Sequence, residues 1–148
     1  MVHKKRSKLI LAAAVLAAIF GFAMFLHISN IRGPFTAPIV EFGTQIVILV
    51  FVGVVINLLG FITRNRIIVI IATVIYGLSA LCVFNALRLF TSGFLRQEVG
   101  FWRLFTSVLT WNQIVFWFVR YSLPIFPSII LCIAGLVLQK KQGARTLS

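Results

Sequence analysis

Acidic side chains are almost absent from this sequence of 148 residues, which has two carboxylates, Glu41 and Glu98, against 14 lysines and arginines. A pair of carboxylates could carry out acid–base chemistry, but nothing in the sequence places these two together. Ion pairing with the arginines on the same side of the chain is the expected use of both residues. We therefore predict that the protein is not an enzyme.

Residues that hold metals, haem or disulfides are also scarce. The two cysteines, Cys82 and Cys132, lie in separate apolar runs, and neither belongs to a CxxC motif or a Cys/His cluster. This spacing argues against a disulfide framework and a zinc site. The two histidines, His3 and His27, precede and follow the first apolar run, whereas a haem between helices would need ligands within the runs. We predict no metal and no cofactor.

Charge as a whole is low, because 11% of the residues are charged and 61% are hydrophobic. A small domain cannot bury so much apolar surface in one core, so this surface is expected to face lipid. The net charge of +12 would suggest nucleic acid in a soluble protein. Here the basic residues flank apolar runs, as in membrane proteins. We therefore predict no nucleic acid, and anionic lipid headgroups as partners.

The apolar residues are grouped in runs long enough to cross a bilayer as helices. The predicted fold is an all-α, integral membrane four-helix bundle that forms a single domain over residues 1–148. The first run is expected to be retained rather than cleaved as a signal peptide, because it is long and no small-x-small site follows it. The four spans are predicted at about residues 9–28, 42–63, 67–87 and 119–138.

An amphipathic segment at about residues 94–117 separates the third and fourth spans. Polar and small residues recur in it at spacings of three and four, which is typical of a helix with one apolar face. We predict an outer interfacial helix; whether it lies on the membrane or packs on protein stays open. The residues predicted to contact lipid headgroups are Arg88, Arg96, Arg103, Arg120, Trp102, Trp111 and Trp117.

Arg120 lies at the outer edge of the fourth span rather than at its centre, if about twenty residues are counted back from Lys140. Its side chain can then extend to the headgroups. Pro124 and Pro127 follow it and are expected to kink the outer half of this span. Nine basic residues fall on the side of the termini and five on the other, which predicts that both termini are cytoplasmic. The short loops favour a bacterial inner or plasma membrane.

The polar residues within the spans have two interpretations. No span carries a charged residue away from its ends, which argues against proton-coupled transport. A polar track for a channel and hydrogen bonds between helices both remain open, and helix contacts are the commoner use. The residues concerned are Gln45, Asn57, Tyr76 and Asn85.

Small residues form two stripes that permit close approach of helices. Ala13, Ala17 and Gly21 are spaced by four on the first span, and Gly53 and Gly60 flank Asn57 on the second. They could pack within the bundle, which is the default, or against another protein.

These patterns favour a small polytopic membrane protein that serves as an accessory or stabilising subunit of a larger membrane complex. Its partner would be another membrane protein or a second copy of itself. Two alternatives remain: a small oligomeric channel or carrier for a neutral or anionic solute, and an envelope-stress or peptide-immunity protein.

Overall fold

The structure, a computed structural model, describes residues 2–33, 37–85 and 108–145. These residues form helices and no strands, so the all-α prediction is confirmed. Most of the predicted segment 94–117, with Arg88 just before it, lies outside the described residues. The helices are α1 (Val2–Asn30), α2 (Ala37–Thr63), α3 (Arg66–Leu81) with a 3-10 turn (Cys82–Phe84), α4 (Val108–Trp117), a π turn (Phe118–Ser122), a 3-10 turn (Leu123–Ile125) and α5 (Phe126–Arg145).

Four stretches of these helices are long and apolar enough to cross a membrane, with mean hydropathies of 2.1 to 2.8. This confirms the prediction of a four-helix membrane protein. The first three stretches agree with the predicted spans to within a few residues. The fourth begins eight residues earlier than predicted, because α4 continues into it without a break. The stretches are Lys8–Asn30, Ile39–Thr63, Arg66–Phe84 and Trp111–Leu138.

The four spans are arranged in a ring in which each packs against two neighbours. α1 contacts α2 and α5, and α3 contacts the same two helices. Successive spans run antiparallel, since Ile10 and Asn57 meet near one end of the bundle and Gly43 meets Ile28 near the other. We call the end that carries Lys8, Arg64 and Arg66 the basic end, and the opposite one the far end.

A two-residue turn joins α2 to α3 at the basic end. Arg64 adopts a left-handed backbone with φ 55°, which reverses the chain directly after Thr63. Asn65 then caps α3, because its side-chain oxygen accepts a hydrogen bond of 2.9 Å from the Ile67 N–H. Such a cap satisfies one of the N–H groups that the first helical turn leaves without a backbone partner, and the tight turn holds α2 and α3 side by side.

The fourth span changes its helical geometry around its prolines. Pro124 has no N–H group, so it cannot donate to the carbonyl one turn before it. The preceding turn widens to a π turn, in which the Leu123 N–H donates to the Phe118 carbonyl. The following turn tightens to a 3-10 turn, in which the Phe126 N–H donates to the Leu123 carbonyl. The two irregular turns carry the helix past the proline, and they place the side chain of Arg120 beside α1.

Candidate functional site

A buried amide links all four spans. Asn57 on α2 is fully buried, and its Nδ2 lies 3.4 Å from the Ile10 carbonyl of α1 and 3.4 Å from the Tyr76 hydroxyl of α3. The same nitrogen lies 3.6 Å from Cys132 Sγ on α5. Its Oδ1 is buried and has no hydrogen-bond partner in the described part of the chain. The contacts are long, but they join four helices at one polar group.

A second polar pair joins α2 to the end of the third span. The Asn85 amide donates to Gln45 Oε1 at 2.8 Å. Gln45 and Asn57 are twelve residues apart on α2, which is about 18 Å along the helix axis, and the buried residues between them include Val50 and Val54. The four polar residues predicted from the sequence therefore meet in two separate pairs, with apolar packing between them.

The small-residue stripes lie between the helices of the bundle. Ala13 and Ala17 are fully buried, and a Cβ atom at Gly21 would lie 3.0 Å from Val50 of α2. A Cβ at Gly53 would lie 2.6 Å from the Tyr76 ring, and one at Gly60 would lie 2.7 Å from Val69. Because these positions are already occupied by neighbouring helices, they offer no surface to a partner.

Gly77 on α3 differs from these glycines. No atom lies within 4 Å of the position that its Cβ would take, apart from its own helix backbone and adjacent residues. Ile70, Val74 and Leu81 flank it on the same side of the helix, and all three are exposed. The buried face of α3, which carries Val69 and Tyr76, lies about a quarter of a turn away around the helix, and Gly77 is half-buried between this face and the exposed one. An open notch thus lies at the edge of the apolar outer face of the third span.

An aromatic cluster occupies the far end of the bundle. The Phe42 ring on α2 lies with its centroid 5.6 Å from that of Trp117 and 5.7 Å from that of Tyr121. Trp117 is 6% exposed, so its position does not fit the headgroup contact predicted from the sequence. Its spacing from Ile114 and Tyr121 puts all three on the protein-facing side of the fourth span. Trp111 is 37% exposed, while Arg88, Arg96, Trp102 and Arg103 lie outside the described residues.

A groove of about 240 Å³ lies at the far end between α1 and the fourth span. His27 and Tyr121 connect its two walls, since His27 Nε2 lies 3.1 Å from the Tyr121 hydroxyl. The exposed guanidinium of Arg120 lies 5.7 Å from the centroid of the Tyr121 ring. The remaining lining is apolar and consists of Phe20, Ala23, Met24 and Pro124.

The sequence could not identify this groove as a site. His27 and Tyr121 are 94 residues apart, and each is a common boundary residue in a membrane protein. The one local signal was an arginine followed by a proline one turn later in an apolar run. That signal predicted a boundary and a kink, but it could not show which helix packs beside them.

The described residues bring together amide, phenol, imidazole and guanidinium groups, all of which can form hydrogen bonds. Within residues 2–33, 37–85 and 108–145, no group of three His, Cys, Asp or Glu side chains could hold a metal ion. The polar groups brought together are an amide with a phenol, two amides, and an imidazole with a phenol beside a guanidinium. The chain matches no protein-family model, no curated protein and no solved structure.

Proposed function

We propose that this protein is a non-enzymatic accessory subunit that binds another membrane protein through the outer face of its third span. The open notch at Gly77 is the observation that carries the proposal. A transmembrane helix gains most from packing where small residues let backbones approach closely. The small residues of α1 and α2 already pack against neighbouring helices of the bundle, whereas no described side chain of the bundle covers the notch at Gly77.

The residues around the notch fit a helix-binding surface. Ile70 and Val74 lie on one side of Gly77, and Leu81 lies one turn further on. These branched side chains form ridges beside a gap at the glycine, into which a side chain of a second helix can insert. Arg66 begins the same face at the basic end, but from Ile70 to Leu81 the face has no charged side chain, so the partner surface opposite the notch is expected to be an apolar membrane helix.

The arrangement of the polar residues supports binding over transport. A pore through the bundle would need polar or small residues along its whole length. Between the Asn57 and Gln45 pairs, buried valines of α2 pack against neighbouring helices. Hydrogen bonding between helices accounts for both pairs, at about 0.6 kcal/mol for an average contact in a membrane.

The test is co-purification of the tagged protein from its native membrane in mild detergent, with the Gly77→Leu variant beside the wild type. Leucine would fill the notch and is expected to remove the partner that the wild-type protein retains. Val55→Phe is the matched control, because it adds as many heavy atoms at a position of α2 that is 59% exposed. It should leave the partner bound.

Two results would contradict the proposal. One is that wild-type protein purifies alone, or only with further copies of itself. The other is that Gly77→Leu retains the same partner as strongly as Val55→Phe. Thermal unfolding of the purified variants separates loss of binding from loss of fold, and a Cβ atom at Gly77 would meet open space.

For its location we propose the cytoplasmic membrane of a bacterium, with both termini in the cytoplasm. Basic residues are kept on the cytoplasmic side of membrane proteins, and the basic end carries Lys8, Arg64 and Arg66. Both termini belong to helices that reach this same end, since α1 begins there and α5 ends there.

A further inference from the structure

We propose that the groove between α1 and the fourth span is a binding site for one phospholipid with a net negative headgroup. The phosphate of that lipid would lie against the Arg120 guanidinium, and one acyl chain would lie along the apolar floor. The proposal concerns a different face of the molecule from the Gly77 notch and does not depend on it.

The depth of Arg120 suits a headgroup phosphate. Arg120 precedes Lys140 by twenty residues, or about 30 Å of helix, which is the thickness of the hydrocarbon core. His27 follows Lys8 by nineteen residues on α1 and reaches a similar level. Both side chains therefore lie where the hydrocarbon meets the headgroups on the far side of the bundle.

The groove has a polar part and an apolar part, as a lipid molecule has. At its polar part lie the guanidinium of Arg120 and the pair formed by His27 Nε2 and the Tyr121 hydroxyl. Arginine binds phosphate oxygens through a planar fork of N–H donors. The apolar part is formed by Phe20, Met24 and Pro124, on which an acyl chain can pack.

The shape of the groove follows from the irregular helix. The π turn and Pro124 interrupt regular packing of the fourth span against α1, and Ala23 on α1 supplies a small side chain opposite the proline. A gap of about 240 Å³ results, which is large enough for part of one acyl chain and too small for a transmembrane helix. Charge complementarity with Arg120 then selects an anionic lipid over a neutral one.

The experiment is native mass spectrometry of the purified full-length protein, titrated with phosphatidylglycerol and, separately, with phosphatidylcholine. We expect one phosphatidylglycerol molecule to remain bound to the wild type at activation energies that remove phosphatidylcholine. Arg120→Gln should weaken retention of phosphatidylglycerol at least about tenfold, as expected for the loss of a charge-assisted contact. Arg66→Gln removes the same charge at the basic end and should leave this lipid bound.

A second variant tests the floor of the groove without changing charge. Ala23→Phe places a ring where the acyl chain would lie, at an exposed position of α1 where it creates no overlap in the core. This variant should also lose the retained lipid. Equal retention of both lipids by the wild type, full retention in Arg120→Gln, or equal loss in Arg66→Gln would each overturn the assignment.

Discussion

Asn57 places a polar group at the point where the four spans meet, and the atoms around it determine how many hydrogen bonds it makes between helices. In a membrane interior a polar side chain without partners has no water to bond with. The Asn57 amide nitrogen can donate to three atoms around it, the Ile10 carbonyl, the Tyr76 hydroxyl and Cys132 Sγ, while its oxygen accepts from no donor among the described residues. The residue therefore links helices through one half of its amide only.

The bond between Asn57 and Tyr76 can be measured by a double-mutant cycle. Tyr76→Phe keeps the ring that packs on Gly53 and removes the hydroxyl, so it should lower the free energy of unfolding by about 0.6 kcal/mol. In an Asn57→Leu background the Tyr76 hydroxyl has no amide to bond with, so Tyr76→Phe should not lower the free energy of unfolding any further. Unfolding titrations in mixed micelles give both values. An equal loss in the two backgrounds would show that the two side chains do not interact.

Of these residues, the sequence indicated which side chains are polar and apolar, but not which ones meet. Gln45, Asn57, Tyr76 and Asn85 stand out because amides and phenols are rare in apolar runs. Their pairing depends on the register of α2 against α3, which the turn at Arg64 and Asn65 sets. The orientation of Trp117 could not be predicted from the sequence either, because a tryptophan near the end of a span can face lipid or protein. In the structure it packs against Phe42 and therefore faces the protein.

At the scale of elements, the contact between α2 and α3 depends on two glycines that face side chains of α3. The Cβ position of Gly53 is 2.6 Å from Tyr76 Cε1 and 2.8 Å from its Cδ1. Tyr76 is fully buried, so its ring has no space into which it could move. The Asn57–Tyr76 pair also joins α2 to α3, and the Gln45–Asn85 pair joins α2 to the end of the third span.

Matched glycine-to-alanine variants test this contact. Gly53→Ala should lower the free energy of unfolding by about 1–3 kcal/mol, because overpacking forces the helices apart. Gly77→Ala adds the same methyl group to open space, so in the isolated protein it should be neutral or stabilising by up to about 1 kcal/mol. Unfolding of both variants in one detergent provides the comparison. A larger loss for Gly77→Ala would contradict the assignment of Gly53 to the core and Gly77 to the outside.

Three of the four elements could be predicted from the sequence because their ends coincide with charges, prolines or a cap. The start of the fourth helix could not, because a membrane boundary at Arg120 does not show whether the helix ends there. Ile114 and Trp117 of α4 are buried against the protein, so the helix extends beyond the boundary on the far side. The prolines predict a kink, but not the π and 3-10 turns that surround Pro124.

At the scale of the whole molecule, the basic residues distinguish the two ends of the bundle and predict which one faces the cytoplasm. Matched exposed residues test the resulting orientation: in a background with Cys82→Ala and Cys132→Ala, Ser29→Cys marks the far end and Thr63→Cys the basic end. Both hydroxyls donate to the carbonyl four residues earlier in the same helix. Thr63 Oγ1 also accepts a long hydrogen bond of 3.4 Å from the Asn65 N–H in the turn, and neither hydroxyl bonds to a side chain of another span within the residues that the structure describes.

We expect a membrane-impermeant maleimide to label Ser29→Cys in intact cells and Thr63→Cys only after permeabilisation, because the basic end is predicted to be cytoplasmic. Labelling with the opposite pattern would reverse the orientation. Labelling of both positions in intact cells would contradict an arrangement in which α1 and α2 cross the membrane.

The meeting point at Asn57 has a consequence for biosynthesis. Its neighbours are supplied by Ile10, Tyr76 and Cys132, so the first contact is available once α2 enters the bilayer, the second once α3 follows, and the third only when the fourth span inserts. Until then Asn57 and Tyr76 can bond to each other, but the side that Cys132 covers stays open to acyl chains. We therefore expect a chain that stops before the fourth span to expose this polar pair, a chemical feature by which intramembrane quality control could recognise it.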